Sequence, residues 1–289
     1  MNSLARIKNF RNPLQYTLLR RTFVTEFDIN FLKNEIKNNS NQINNLNILN
    51  YKSQIIKKPK KLRPHINPFS VKEIIKIPKW DQIYSNLKLP FHIDLGCGQG
   101  EMLLERSLLQ KDKNMLGIDM RDVYIDIAKN KQFIKENNTI NTTTTTNNNN
   151  NNNNINNNNN NNNLHYIIAN INLNIKNINL SLPKDSIKEI SIFFPDPCFK
   201  KSHHKRRLIN KALVKDLYES TADDVVIYIQ TDQQELGLDI QQHFISSNLF
   251  IQQNIDSLVW NNLFPKSKYQ RLFSQDPQRY VFIKKIEPK

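Results

Sequence analysis

A glycine-rich turn between a strand and a helix is the feature that most constrains the fold of this chain. The chain has 289 residues but only 5 glycines, and Gly96, Gly98 and Gly100 fall within five consecutive positions. Residues 91–95 before the turn have strand character, and residues 101–110 after it have helix character. Glycine lets the backbone turn sharply and approach a ligand closely, because it has no Cβ atom. The turn therefore predicts a nucleotide-type binding loop in an α/β fold.

The sequence beyond the turn continues to alternate between strands and helices. We expect strands at 114–118, 164–169, 189–194 and 224–230, and helices at 122–135 and 208–220. This alternation predicts a doubly wound, mostly parallel Rossmann-like sheet with helices on both faces. The predicted domain covers residues 68–289.

A tract of Thr and Asn at 137–163 interrupts that alternation. It cannot bury apolar surface, so we expect it to be disordered. It joins the end of a helix to the start of a strand, which places it at the sheet edge opposite the ligand-binding edge. We therefore expect deletion of residues 140–162 to leave activity largely intact.

The excess positive charge lies in three acid-free runs, at 1–25, 57–63 and 200–207. Each run holds five Lys or Arg residues, so the three together equal the formal net charge of +15. A neutral body with three basic runs suggests a polyanionic partner such as a nucleic acid. The alternative is that the runs are solvated surface, which a single run usually means.

The N-terminal residues have features of a targeting segment. Residues 1–25 contain arginines and hydroxyl side chains but no acid, which is typical of a mitochondrial transit peptide. We expect mitochondrial localisation, with the cytoplasm or nucleus as alternatives. Residues 26–67 are basic and Asn-rich, and we interpret them as a loose arm.

Cysteine content and hydropathy argue against several classes of protein. The two cysteines, Cys97 and Cys198, lack the spacing of a zinc site, and no apolar run approaches the length of a membrane span. We therefore expect neither a metal nor a membrane as a partner.

The residues around the turn favour a cationic cofactor. Carboxylates at Asp94 and Glu101 would repel a pyrophosphate, whereas the sulfonium and ammonium of S-adenosylmethionine suit them. Asp119, which ends the second strand, is placed to bind a ribose diol. The loop resembles motif I of Rossmann-like methyltransferases; the alternative is a tight turn without a ligand. The predicted S-adenosylmethionine contacts are Asp94, Gly96, Gly98, Gly100, Asp119, Met120, Arg121 and Asn170.

A second motif follows the fourth predicted strand, where residues 190–209 read ISIFFPDPCFKKSHHKRRLI. Pro195 and Pro197 stop the strand, because proline has no amide hydrogen. Asp196 between them should therefore lie at the carboxyl edge of the sheet, facing the cofactor crevice. A carboxylate beside a strip of phosphate-binding cations suits modification of a nucleic-acid base.

This segment resembles the signature of the tRNA (guanine-N7)-methyltransferase family, F-F-P-D-P-x-x-K-K-x-H-x-K-R-R. The resemblance implies S-adenosylmethionine-dependent formation of N7-methylguanosine in the tRNA variable loop, at position 46. It makes Asp196 the candidate catalytic residue. The substrate contacts that it implies are Lys200, Lys201, Lys205, Arg206, Arg207, Asp232, Ser267 and Gln270.

Two departures from the family pattern support a rival interpretation. Gln270 replaces a carboxylate of the family, and Cys198 stands where many members have an aromatic residue or His. The rival is a catalytically silent tRNA-binding subunit or chaperone that keeps the methyltransferase fold. Asp232 also has an alternative role, as the cap of a helix beginning near Gln234. The sequence leaves open whether a partner subunit is needed.

Overall fold

The computed structural model describes residues 66–145, 162–265 and 276–286, with the side chains of 137–145 left out. The compact unit that holds the sheet spans Asn67–Lys289. The first two basic runs, at 1–25 and 57–63, lie outside the described residues.

Seven strands form one sheet. They are β1 (Phe91–Leu95), β2 (Asn114–Asp119), β3 (Leu164–Ile168), β4 (Ile187–Phe193), β5 (Val226–Thr231), β6 (Phe250–Gln253) and β7 (Gln278–Lys284). Their order is β3-β2-β1-β4-β5-β7-β6. The first five are parallel, and β7 runs antiparallel to both β5 and β6. The predicted doubly wound, mostly parallel sheet is confirmed. The strand order reverses between β1 and β4, which opens a crevice at their carboxyl ends.

Helices cover both faces of the sheet, as predicted. They are α1 (Glu101–Leu109), α2 (Asp122–Thr145), α3 (Ile171–Ser181), α4 (Lys211–Ser220), α5 (Gln234–Ser247) and α6 (Ser257–Leu263). Buried side chains of α3, α4 and α5 share one hydrophobic core, and those of α1, α2 and α6 share a second. The sheet therefore separates two apolar layers.

The α4 helix shows how local sequence sets one of these elements. The Asn210 side chain caps it by accepting a hydrogen bond from the Leu213 amide over 3.0 Å. Leu213, Val214 and Leu217 recur at helical spacing and are all buried. The cap and the apolar stripe together define where the helix begins and which side faces the sheet.

The Thr/Asn-rich tract differs from its prediction at both ends. The α2 helix continues to Thr145 instead of ending near residue 135, since neither Gly nor Pro interrupts it. At the other end Asn163 is buried, and its Nδ2 donates to the carbonyl oxygens of Gln110 (2.9 Å) and Lys113 (3.0 Å). The expected disorder over the whole of 137–163 was therefore wrong at these two ends; residues 146–161 lie outside the described part.

Among the described residues, no helix combines the length and apolar character needed to cross a bilayer. In the same ranges, no cluster of three or more His, Cys, Asp or Glu side chains could hold a metal ion.

Candidate functional site

The glycine-rich loop rests on the carboxyl end of the neighbouring strand β2. The amides of Gly96 and Cys97 both donate to the carbonyl oxygen of Ile118, over 2.8 and 3.1 Å. Gly96, Gly98 and Gly100 have φ angles of 85°, 56° and 72°. These left-handed conformations strain any residue with a Cβ atom, so the loop requires its glycines.

The three glycines differ in what surrounds them. A Cβ atom at Gly96 or Gly98 would make only an ordinary van der Waals contact, at 4.0 Å with Leu208 and at 3.9 Å with Tyr124, so packing does not require these two glycines. At Gly100 a Cβ atom would lie 2.6 Å from the ring of Tyr166, whose hydroxyl donates to the Gly100 carbonyl over 2.8 Å. Packing against Tyr166 therefore explains Gly100, whereas Gly96 and Gly98 fit the predicted cofactor contact.

Asp94 lies at the mouth of the crevice with 5% of its surface exposed. Its Oδ1 accepts a hydrogen bond from the Ser191 hydroxyl over 2.7 Å, and among the described residues Oδ2 accepts none. Burial raises the pKa of Asp94 to about 7; the Ser191 hydrogen bond and the charge of Arg106 oppose that rise, and the charge of Asp119 adds to it. A buried carboxylate with one unused oxygen fits the ammonium of the predicted cofactor.

The Asp119 carboxylate is engaged on both oxygens. Oδ1 accepts from the backbone amide (2.9 Å) and Nε (2.8 Å) of Arg121, and Oδ2 accepts from Nη2 of Arg121 (2.6 Å) and the Gly98 amide (3.0 Å). These four donors use the roughly four lone-pair sites of a carboxylate. A ribose diol would therefore have to displace part of the Arg121 contact. Arg121 also stacks on the Tyr124 ring at 3.9 Å, and Met120 beside it is half-buried.

Glu101 is neutralised by a partner that the sequence did not indicate. Nζ of Lys131 donates to its Oε1 over 2.7 Å. The charge argument against a pyrophosphate therefore depends on Asp94 alone.

Asn170 is buried where β3 meets α3, but its amide has protein partners. Nδ2 donates to the carbonyl oxygens of Pro68 (2.9 Å) and Val71 (2.8 Å). Asn174, one helical turn later, accepts from the Ile75 amide over 2.9 Å. Both side chains therefore fasten the segment before β1, a role that sequence reasoning missed for Asn170.

The Asp196 loop begins where predicted, because β4 ends at Phe193. Asp196 is half-buried, and its Oδ1 accepts from the Cys198 amide over 3.0 Å. Phe194 and Cys198, on either side, have φ angles of 50° and 47°. Such backbone costs about 1–3 kcal/mol per residue and occurs mainly where function demands a fixed geometry.

The third basic run contains both surface and interior cations. Residues Lys201–Arg206 form a 3₁₀-helix, in which Lys201 and Lys205 are exposed and Arg206 is half-buried; Lys200 before it is also exposed. Arg207 has only 5% of its side chain exposed. The prediction of Arg207 as a surface phosphate contact therefore disagrees with its position.

Arg207 instead joins the Asp196 loop to α5. Its Nε donates to the Pro197 carbonyl oxygen (3.0 Å), Nη1 to Asp239 (2.9 Å) and Nη2 to Glu235 (3.1 Å). Nη2 also lies 3.0 Å from Nε2 of His204. The guanidinium thus provides hydrogen-bond donors that these polar groups would otherwise find in water.

The basic run and the glycine loop lie at the same edge of the sheet. Leu208, the residue after the run, has Cδ2 only 4.0 Å from the Cβ position of Gly96. Its carbonyl oxygen accepts from Nδ2 of Asn172, at the start of α3, over 3.1 Å. The crevice between β1 and β4 therefore has Asp94 at one strand end and the Asp196 loop at the other.

The structure describes one of the three remaining predicted substrate contacts. Asp232 directly follows β5, is half-buried, and accepts from Nε2 of Gln233 over 3.1 Å. The N-cap residue of α5 is Gln233, so the helix-cap alternative for Asp232 does not hold. Ser267 and Gln270 lie outside the described residues.

Neither cysteine is poised as a nucleophile. Burial raises the pKa of the Cys97 thiol well above its usual range. Burial, followed by the charge of Asp196, raises the pKa of Cys198 to about 11. Both thiols therefore stay protonated at neutral pH, and the reactive thiolate does not form.

Comparisons with known proteins identify the family of the chain. A family model described as "Putative methyltransferase" matches residues 88–281. A tRNA (guanine-N(7)-)-methyltransferase of Synechococcus elongatus is 30% identical over 224 residues, which cover 77% of this chain and 93% of that protein. Its namesake in Prochlorococcus marinus subsp. pastoris is 36% identical over 177 residues, covering 61% and 73%.

A solved structure of an antibiotic-related methyltransferase is a more distant match. It is 15% identical, with a TM-score of 0.42, and the match covers 74% of this chain and 96% of that one. A likeness this remote adds nothing to the assignment.

Proposed function

The chain belongs to the tRNA (guanine-N7)-methyltransferase family, and on that premise we propose that it methylates N7 of a guanine in tRNA. The methyl donor is S-adenosylmethionine. The target is the variable-loop guanine at position 46, the usual site for this family.

One observation carries this proposal. Leu208 lies beside the glycine loop, 4.0 Å from where a Cβ atom of Gly96 would be, so the exposed lysines that precede it lie near the cofactor crevice. A basic surface next to such a crevice supplies phosphate contacts that position a nucleic acid. A methyltransferase for small molecules would have no use for that strip.

The residues at the crevice suit the proposed cofactor and substrate. S-adenosylmethionine, when bound, supplies an electrophilic methyl group. Asp94 would hold its ammonium, and the backbone at Gly96 and Gly98, which has no Cβ atom, would allow its close approach. Asp119 would hold the ribose after exchange with Arg121.

The chemistry at N7 decides the role of Asp196. N7 of guanine is an acceptor without a hydrogen, so no proton leaves it and no general base is needed. Asp196 would instead accept hydrogen bonds from the N1–H and N2–H groups of guanine and offset the positive charge that develops on the ring. The strained loop and the buried Arg207 would keep that carboxylate in place.

Incubation with methyl-labelled S-adenosylmethionine and total tRNA tests the proposal. Borohydride and aniline cleavage should then break the chain at one variable-loop guanine. A transcript containing 7-deazaguanosine is the control and should stay unlabelled, because it lacks N7. Tight tRNA binding without any label would favour the silent subunit instead.

A further inference from the structure

A row of buried polar side chains crosses the sheet beneath the cofactor site. His92 and Asp94 on β1 pair in register with Glu189 and Ser191 on β4. Residues two apart on a strand face the same side, so all four side chains share one face. His92 and Ser191 are fully buried, at 0% exposure. Polar residues at alternate positions of two central strands are unusual, because that face normally carries apolar core residues.

The hydrogen bonds in this row have one possible direction. Nη1 of Arg106 lies 2.8 Å from Nδ1 of His92, and Nε2 of His92 lies 2.8 Å from Oγ of Ser191. A guanidinium can only donate, so Nδ1 accepts and Nε2 carries the imidazole hydrogen. Nε2 then donates to Ser191, whose own hydrogen goes to Oδ1 of Asp94 over 2.7 Å. Every donor in the chain therefore points toward Asp94.

Ion pairs and an aromatic ring hold the far end of the row. Nη2 of Arg106 pairs with Oε2 of Glu189 at 3.0 Å, and Lys113 also pairs with Glu189. The Phe264 ring covers this end, 4.6 Å from the Arg106 guanidinium and 6.2 Å from the His92 ring. Exclusion of water strengthens each hydrogen bond in the chain.

The charges in the row balance when Asp94 is ionised. Arg106 and Lys113 are cations, and Glu189 and Asp94 are the matching anions. Burial and the charges of Arg106 and Lys113 lower the pKa of His92 well below its usual range, so it stays neutral.

The other titratable groups near Asp94 either shift the equilibrium of its ionisation or carry no charge. Asp119 on β2 disfavours its ionisation, and Arg106 on α1 favours it. The thiol of Cys97 and the phenol of Tyr166 are kept protonated by burial and add no charge.

We propose that Arg106, His92 and Ser191 are positioning residues, which favour the ionised form of Asp94 and leave its Oδ2 for the ammonium of S-adenosylmethionine. This row of donors promotes cofactor binding at neutral pH, where a carboxyl this deeply buried would otherwise mostly hold its proton. This inference rests on the proposed function, but its test uses cofactor binding without turnover.

The test is the pH dependence of S-adenosylmethionine binding, measured by calorimetry on the full chain and on its Ser191→Ala variant. The ratio of the two Kd values cancels the titration of the ligand itself. Loss of the hydroxyl should raise the pKa of Asp94, so the variant should bind about tenfold more weakly near pH 6 for each pKa unit gained. The ratio should fall toward one near pH 9, where both carboxyls are ionised. Ser191→Thr keeps a hydroxyl and should restore the parent profile.

Ser107→Ala is the matched control. Ser107 is also buried, but its hydroxyl donates to the Leu104 carbonyl, which is not part of the row of hydrogen bonds that leads to Asp94. The ratio of the Ser107→Ala Kd to the parent Kd should therefore stay near one at every pH. A Ser191→Ala ratio that is constant with pH would overturn the proposal. Failure of the parent to bind at any pH would contradict the proposed function instead.

Nitrogen NMR of His92 provides a test that needs no variant. The imidazole should be neutral and carry its hydrogen on Nε2 between about pH 6 and pH 9. An imidazole protonated on Nδ1, or one that gains charge in this range, would also overturn the proposal.

Discussion

Arg207 donates from Nε to the carbonyl oxygen of Pro197, ten residues earlier, over 3.0 Å. The contact closes a loop of residues 197–207, which contain the basic 3₁₀-helix and directly follow Asp196. Because the guanidinium also reaches Asp239 on α5, the loop is fastened to a rigid element. The last arginine of the motif therefore holds the Asp196 loop against α5.

Replacement of Arg207 by Ala should lower the free energy of unfolding by about 2 kcal/mol. Removing one partner of a fully buried ion pair costs about 3–5 kcal/mol, but Glu235 is 72% exposed and Asp239 35%, so solvent screening reduces the loss. Urea unfolding measures it. The matched control is Lys205→Ala at an exposed position, which should leave stability unchanged. Equal free energies of unfolding for the two variants would contradict the supporting role of Arg207.

The exposed lysines should govern tRNA affinity through its salt dependence. Each change to Ala at Lys200, Lys201 or Lys205 should reduce the slope of log K against log salt by about one, since one phosphate contact is lost. Filter binding over a salt series measures the slope. Arg207→Ala, compared at a temperature where it is folded, should keep the parent slope. A decrease of about one in its slope would instead show that Arg207 contacts a phosphate.

Asp196→Asn should reduce turnover by about a hundredfold or more, because the amide lacks the negative charge that offsets the positive charge developing on the guanine ring. Cofactor affinity should hardly change. Single-turnover methylation and calorimetry give the two values. Asp185→Asn makes the same exchange at an exposed site before β4, at the opposite edge of the sheet, and should retain full activity. Near-normal turnover of the Asp196 variant would remove this residue from the mechanism.

Deletion of residues 140–162 should preserve methylation, because α2 leads into this segment at the sheet edge opposite the crevice. The deletion retains Asn163, whose amide donates to two carbonyls of the segment between α1 and β2. Asn163→Ala in the full chain should therefore destabilise the protein by about 1 kcal/mol, through loss of the hydrogen bonds to these partly buried carbonyls. A severe loss of activity in the deletion variant would show that the tract contributes to the site.

Residues 1–30 fused to a fluorescent reporter should direct it to mitochondria, because their arginines are not balanced by acids until Glu26. A fusion in which Arg6, Arg11, Arg20 and Arg21 are changed to Gln is the control and should stay diffuse. Diffuse fluorescence from the unaltered fusion would contradict the targeting prediction.

Sequence alone determined the parallel part of the sheet and where β1 and β4 end. Alternating apolar segments, three clustered glycines and two prolines around Asp196 are local signals, and each acts on the backbone within a few residues. They were enough to predict a doubly wound sheet with Asp94 and Asp196 at one edge. The α6 helix and the antiparallel pair of β6 and β7 were not predicted, since their short segments carry weak periodicity.

Only the tertiary structure decided what the polar residues bind. Arg207 and Lys205 belong to one basic run, yet one is buried and the other exposed, because α5 supplies carboxylates to the first. Asp94 and Ser191 are 97 positions apart and meet only through the register of β1 and β4. Hydrogen bonds and desolvation depend on distances of a few ångströms between chain segments that sequence order does not relate. The charge state of the cofactor site is therefore a property of the folded sheet.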